Sequence, residues 1–411
     1  MFRKKPLVLS LLFAVFFSLS IVAHLGRTAH NGLNYELNEY QDGIYYFAMS
    51  KNLFLEPIPL TDEISKFPEL KSATDSTIEH FLENQKQWHL ENGISHSPPY
   101  VYRILQPVIV MSLGLFGISS QLGFLLVSSL GLGLLGVFQY LLLVNSRVSP
   151  KFAIYFSTCF SIAAVNLISS PMYTDDLFLG LIVSCIYFQK KGFLRCAFLI
   201  SSIAVLNRET SLIIWAYLVT LLLINKENYI KFLKNHLIYV LLAPMAFILP
   251  RLLIPVPNRE YPISDLMIGF WKSSLWIPFS VLVFVTLICS LFPYLLFKRN
   301  IKKISHRDFL LFLFGMVGLL VSCSLGGNWD RFLLTFWPMF LLYDCVEKVE
   351  PRNALVVLNS FGLLFLAAND FLSFNTSLNI RYMQIFEIVL LIGVNWVIYS
   401  KVWKRSSYQA F

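Results

Sequence analysis

The sequence predicts an all-α polytopic membrane protein, and three observations predict it. Of 411 residues, 56% are hydrophobic and only 14% are charged, far below the roughly 25% charged residues of a soluble domain. Apolar runs of about 17 residues or more recur from one end of the chain to the other, the length at which a helix crosses a bilayer. These runs are continuous rather than alternating, which excludes the short dyad-patterned segments of a transmembrane β-barrel.

The net charge of +9 does not point to nucleic acid. Most of it sits in short loops between apolar runs, where Lys and Arg orient a membrane protein. The six cysteines fall in or at the ends of apolar segments with no CxxC pair, so neither a disulfide framework nor a metal knuckle is indicated. The histidines lie outside the apolar runs, against a haem held between membrane helices.

Each element follows from hydropathy and loop charge together. Residues 1–23 read as an uncleaved first helix (about 7–23). The stretch is long for a signal core, and its small-residue cleavage pattern is poor. Arg3, Lys4 and Lys5 place its start in the cytoplasm. A long extracytoplasmic first loop follows, spanning 24–121 with juxtamembrane or re-entrant helices. Within it "ILQPVIVMSLGLFG" (104–117) is short and contains Pro107. Such runs are interfacial or re-entrant rather than spanning. That choice puts the basic loops 145–151 and 189–195 inside.

Next come a full span at 122–144 and helices at about 152–169 and 177–188. The segment 196–224 would carry Asn207, Arg208 and Glu209 to mid-bilayer if straight. Read as a hairpin turning at "NRET", it keeps Lys190, Lys191, Lys226, Lys231 and Lys234 on one side. Its arms of about 11–13 residues reach only some 17–20 Å, so the turn lies below the outer surface, where it must line a cavity or be covered by protein. Helices at about 237–254, 279–297, 309–326, 332–346, 354–372 and 385–403 complete about twelve, with both termini cytoplasmic. No internal repeat or low-complexity linker appears, so 1–411 reads as a single membrane domain.

The predicted outer side gathers the ionisable residues. Asp42 stands in "NEYQDGIYYFAM" (38–49), against Tyr45, Tyr46 and Phe47. His96, Tyr102 and Arg103 end the first loop. "SPMYTDD" supplies Asp175 and Asp176, "NRET" supplies Arg208 and Glu209, "VPNREYP" supplies Arg259 and Glu260, and "GGNWDRF" supplies Asp330 and Arg331. Ionisable groups at membrane depth are costly and mark function. Arginines hold and neutralise a phosphate, and a carboxylate can take a proton from an attacking hydroxyl.

"YQDGIYYFA" (40–48) resembles the first outer loop of the GT-C glycosyltransferases, integral membrane enzymes that use polyprenyl-phosphate sugars. "YRILQP" (102–107), "YTDDLFL" (173–179) and "NRETSLI" (207–213) resemble motifs of bacterial members, the mannosyltransferase-like enzymes of surface glycans. "NWDRFLLTFWP" (328–338) is similar to a late segment there. The layout is also similar: a cytoplasmic N-terminus, a long first outer loop with interfacial helices, and an outer active site.

The resemblance implies inverting transfer of a sugar from a polyprenyl-phosphate carrier to an acceptor hydroxyl of a surface glycan, lipid-linked glycan or protein. It implies Asp42 as the catalytic base and Arg208, with Arg331 or Arg103, on the phosphate. Glu209, Asp330, Asp175 and Asp176 would be further substrate or phosphate contacts. The strict DxD form is absent from the first loop. If a divalent metal takes part, Asp175 and Asp176 are its candidate ligands. The implied location is a bacterial cell inner membrane, with membrane lipids as the surroundings.

Plainer readings stand beside these. Asp42 followed by Gly43 and an apolar run also suits a helix N-cap. Asp175 and Asp176 also suit a helix start in water, favoured by its dipole. Arg103 also suits a side chain snorkelling to the surface. Tyr45 and Tyr46 read as interfacial anchors. Arg208 and Glu209 could pair with each other only if the chain turns there, since neighbours on a helix do not face each other.

Three other function classes fit a multi-spanning chain, one of them a non-catalytic membrane scaffold, whose polar groups would be scattered. A glycan polymerase or ligase of another fold would place its long loop later in the chain. A lipid or glycan transporter would show broken helices paired between two halves, and "NRET" has no counterpart.

Overall fold

The computed structural model describes residues 5–31, 46, 49–50, 102–167, 174–224, 229–254, 306–325 and 329–340, with single positions between 353 and 364. Every described element is helical, and no strand occurs among the described residues. The helices are α1 (Lys5–Asn31), α2 (Leu105–Gly114), α3 (Ser120–Asn145), α4 (Pro150–Leu167), α5 (Asp175–Lys190), α6 (Leu194–Asn207), α7 (Leu212–Ile224), α8 (Tyr229–Leu253), α9 (His306–Leu325) and α10 (Trp329–Phe340). The expected spans that fall on described residues each have a helix. Those at 279–297 and 385–403, most of 354–372 and the part of 332–346 beyond Phe340 lie outside the described residues.

Three helices are long and apolar enough to cross a membrane, over Leu7–Leu25, Ser120–Asn145 and His236–Leu253. The polarity of α1 supports a lipid surround. It exposes Leu7 (73%), Leu11 (64%) and Val22 (66%), and it buries Phe16, Ser20 and His24, spaced four apart. That is the reverse of a water-soluble amphipathic helix. Without a hydrophobic drive, helices in lipid associate by close packing and by hydrogen bonds between polar side chains.

The chain forms two compact units, Met1–Leu134 with Ile168–Tyr261, and Leu135–Leu167 with Pro262–Phe411. In the first, α1 runs against α3. The Ser20 hydroxyl donates to Ser129 Oγ at 3.2 Å, and the Phe13 ring covers Gly133. α3 and α5 touch backbone to backbone, because Gly131 lies on the Asp176 and Leu177 main chain and Gly180 lies on Gly131. Only glycine permits that approach.

α2 is ten residues, about 15 Å, too short to cross 30 Å of hydrocarbon. Pro107 sits in its first turn, where a missing N–H costs little. Gly117, at φ +80°, reverses the chain, and α2 packs back so that Val110 lies on Gly123.

The predicted hairpin in 196–224 is present. Arg195 at the start of α6 lies over the Tyr239 ring, and Glu209 beyond its end meets Arg251, so α6 and α8 run in the same direction. Trp215 Nε1 then donates to the Val240 carbonyl at 2.8 Å, so α7 runs back. The reversal is built by Ser211, whose N–H and hydroxyl both donate to the Arg208 carbonyl, at 3.1 and 2.5 Å. With 14 and 13 residues, the arms reach about 20 Å, and Arg208 and Ser211 are buried.

In the second unit, α9 receives the Phe336 ring of α10 against Gly318. Asn353 Oδ1 accepts from the Ser149 N–H ahead of α4 at 3.1 Å.

Gly131→Ala and Gly180→Ala would each push a methyl into backbone. Each is expected to destabilise the protein by about 1–3 kcal/mol. Gly114→Ala, where no atom lies within 4 Å, should stay within about 0.5 kcal/mol. Unfolding midpoints in detergent check this, and equal midpoints for all three would remove the close α3–α5 contact as a support of the fold.

Candidate active site

Polar side chains can enter an apolar bundle only where partners meet them. In the first unit they meet where several segments end. α1 brings His24, α3 brings Ser128, α5 begins with Asp175 and Asp176, α6 ends at Asn207, and the turn adds Arg208 and Glu209. Arg103 precedes α2, and Arg251 stands in the last turn of α8. Ser128 lies eight residues beyond Ser120, so this layer is about 12 Å along α3 from its start.

The innermost contact is an ion pair between Arg208 Nη1 and Asp175 Oδ1, with side chains only 6% and 4% exposed. Asn207 Nδ2 donates to the Thr174 carbonyl at 2.6 Å, which ties the end of α6 to the residue capping α5. Asp175 and Asp176 occupy the first turn of α5, where the helix dipole favours negative charge. The Phe178 ring lies beneath the Arg208 guanidinium, 5.9 Å from its centroid.

Next to this pair is a more open network. Arg103 Nε donates to Glu209 Oε2 at 3.0 Å, and Arg103 Nη1 donates to the Tyr46 hydroxyl at 3.0 Å. Arg251 Nη2 stands 3.6 Å from Glu209 Oε1. Arg251 Nη1 donates to the Phe247 carbonyl at 2.7 Å. Its guanidinium lies 4.3 Å from the Tyr102 ring centroid and 3.7 Å from that of Phe247. Arg103, Glu209 and Arg251 keep 15%, 20% and 27% exposure. Two guanidinium groups thus share one carboxylate at an accessible edge, an arrangement suited to an anionic oxygen centre.

A third group is sealed. Ser128 Oγ donates to Asp176 Oδ2 and lies 3.3 Å from His24 Nε2. His24 Nε2 is itself 3.4 Å from Asp176 Oδ2. The three atoms face one another in a triangle. A nucleophilic triad differs, because there histidine uses one ring nitrogen for each partner. All three side chains are buried, and the triangle joins α1, α3 and α5.

The expected site residues therefore divide. Arg103, Arg208, Glu209, Asp175 and Asp176 come together. Arg208 and Glu209 do not pair with each other; each pairs across the bundle. Asp175 and Asp176 are not solvated but buried, and they turn to different partners. Among the described residues, no group of three His, Cys, Asp or Glu is assembled for a metal. The backbones of Asp330 and Arg331 lie on α10 in the second unit, and their side chains are outside the described set. Asp42, Tyr45, His96, Arg259 and Glu260 lie outside the described residues.

Tyr46 corrects an expectation. It is not a surface anchor; it is 1% exposed, with its hydroxyl on Arg103. Sequence reasoning missed Arg251 and His24. The signal for Arg251 was a cation inside an apolar run, between Pro250 and Pro255. For His24 it was the four-residue spacing from Ser20 and Phe16. No protein-family model, no curated protein and no solved structure matches the chain.

Removing one partner of a buried ion pair leaves a buried charge, so Asp175→Asn is expected to cost about 3–5 kcal/mol. The double change Asp175→Leu with Arg208→Met should recover most of that loss, because apolar groups of similar size need no counter-charge. Thermal unfolding in detergent reads both. An Asp175→Asn variant as stable as the parent would dismiss the pair as a support.

Proposed function

We propose that the chain is a GT-C-type glycosyltransferase of about twelve membrane helices. In this reading it moves a sugar from a polyprenyl-phosphate carrier to an acceptor hydroxyl on the extracytoplasmic face of a bacterial inner membrane. The observation that carries this reading is the sharing of Glu209 by Arg103 and Arg251 beside the buried Arg208–Asp175 pair, at a partly open layer inside an apolar bundle. A carrier of this class has an apolar tail that belongs between helices and an anionic head that needs guanidinium groups at that depth. The arms of α6 and α7 support the depth, since about 20 Å of helix leaves the turn roughly 10 Å short of a 30 Å hydrocarbon layer.

In the reaction, the acceptor oxygen bonds to the anomeric carbon as the bond from that carbon to the phosphate oxygen breaks on the opposite face. The acceptor's proton passes to Asp42. Negative charge grows on the departing phosphate, and Arg103 and Arg251 neutralise it. Arg208, held by Asp175, adds its field from behind. The acceptor is a surface glycan, a lipid-linked glycan or a protein.

Asp42→Asn tests this. With normal membrane levels of protein, transfer from a radiolabelled polyprenyl-phosphate sugar in isolated membranes should fall by about 10²–10⁴-fold. Full transfer by the variant would reduce Asp42 to a helix cap and sink its role as base.

A further inference from the structure

We propose that Glu209 is a built-in counter-anion. It holds the phosphate position between Arg103 and Arg251 when the site is empty, and an arriving phosphate displaces it. This rests on the reading that the site takes a phosphate-linked ligand.

Glu209 fits the two cations unequally. Its Oε2 accepts from Arg103 Nε at 3.0 Å. Its Oε1 stands 3.6 Å from Arg251 Nη2, longer than a well-formed hydrogen bond, and among the described residues this buried oxygen accepts none of ordinary length. A carboxylate has two oxygens in one plane. A phosphate presents three or four in a tetrahedron, so it can meet both planar forks together.

Each arginine also has a hold besides Glu209. Arg251 is fixed by the Phe247 carbonyl at 2.7 Å and by the faces of Tyr102 and Phe247. Arg103 is fixed by the Tyr46 hydroxyl. The cradle is therefore preorganised, and an anion that enters it orders little that is not already ordered. Glu209 stands at the head of the short 3₁₀ turn Glu209–Ser211.

The consequence is regulation of affinity. While Glu209 competes for the same cations, it keeps the empty site neutralised and weakens the hold on a departing phosphate monoester. Binding and release are then balanced by one internal carboxylate.

The test is equilibrium binding to the purified full chain in detergent, with no transfer step. The probes are geranylgeranyl monophosphate, inorganic phosphate, and geranylgeraniol as the uncharged control. Glu209→Gln should bind the isoprenyl phosphate about tenfold more tightly than the parent, a change of about 1.4 kcal/mol. Arg251→Gln should bind it about tenfold more weakly, with geranylgeraniol unchanged. Glu209→Asp, which keeps the charge but draws it back from Arg251, should fall between the parent and Glu209→Gln, and it serves if the glutamine variant does not fold.

The same rank order with inorganic phosphate assigns the cradle to the phosphate group itself, and the order seen only with the lipid assigns it to a lipid headgroup. Either supports the displacement. Binding by Glu209→Gln that equals or falls below the parent's, or no anion binding by any of these proteins, overturns it. A gain in Glu209→Gln without sugar transfer from any donor would fail the glycosyltransferase reading alone. Transfer with no effect of Glu209→Gln on binding would fail this inference alone.

Discussion

The ion pair between Arg208 and Asp175 is the contact on which the first unit depends. An arginine inside an apolar bundle is tolerated only with a counter-charge at hand. The counter-charge here comes from the first turn of a neighbouring helix, whose dipole already favours an anion. That requirement fixes where α6 must end and where α5 must begin. Asn207 and Thr174 complete the junction with an uncharged hydrogen bond. The reversal after α6 then follows, because Ser211 takes up the Arg208 carbonyl that the helix no longer uses. Glu209, carried next to Arg208, is delivered to Arg103 and Arg251.

Close backbone contact is the second constraint. α3 and α5 meet through Gly131 and Gly180, and the contact sets Ser128 of α3 against Asp176 of α5. α1 joins through its buried line of Phe16, Ser20 and His24 while its leucines face outward. Dispersion at small residues and hydrogen bonds between polar side chains replace the burial of apolar surface, as expected where lipid is as apolar as leucine.

The helices were legible in the sequence because hydropathy and loop charge are local signals. The hairpin at "NRET" was legible too, since a straight helix would have set basic loops on opposite sides. Pairing was not legible. Arg208 and Glu209 are neighbours, and nothing local says that one meets Asp175 and the other meets Arg103, which are 33 and 106 positions away. Tyr46 looked like a membrane anchor because Tyr at an apolar edge commonly is one; its burial comes from Arg103, far along the chain. Arg251 was hidden by the hydropathy of its run, which outweighs a single cation. His24 was hidden because the helix read from the sequence stopped at residue 23, whereas the apolar span runs to Leu25 and includes it.

The short arms of α6 and α7 carry a further implication for the lipid around them. Helices of about 20 Å cannot match a hydrocarbon layer of about 30 Å, and the mismatch must be absorbed on that flank. A bilayer meets a short hydrophobic surface by thinning. Such thinning would draw the headgroups on that side towards the level of Arg103 and Arg251, and would lower an amphiphile in that leaflet to the polar layer while its tail stayed in hydrocarbon.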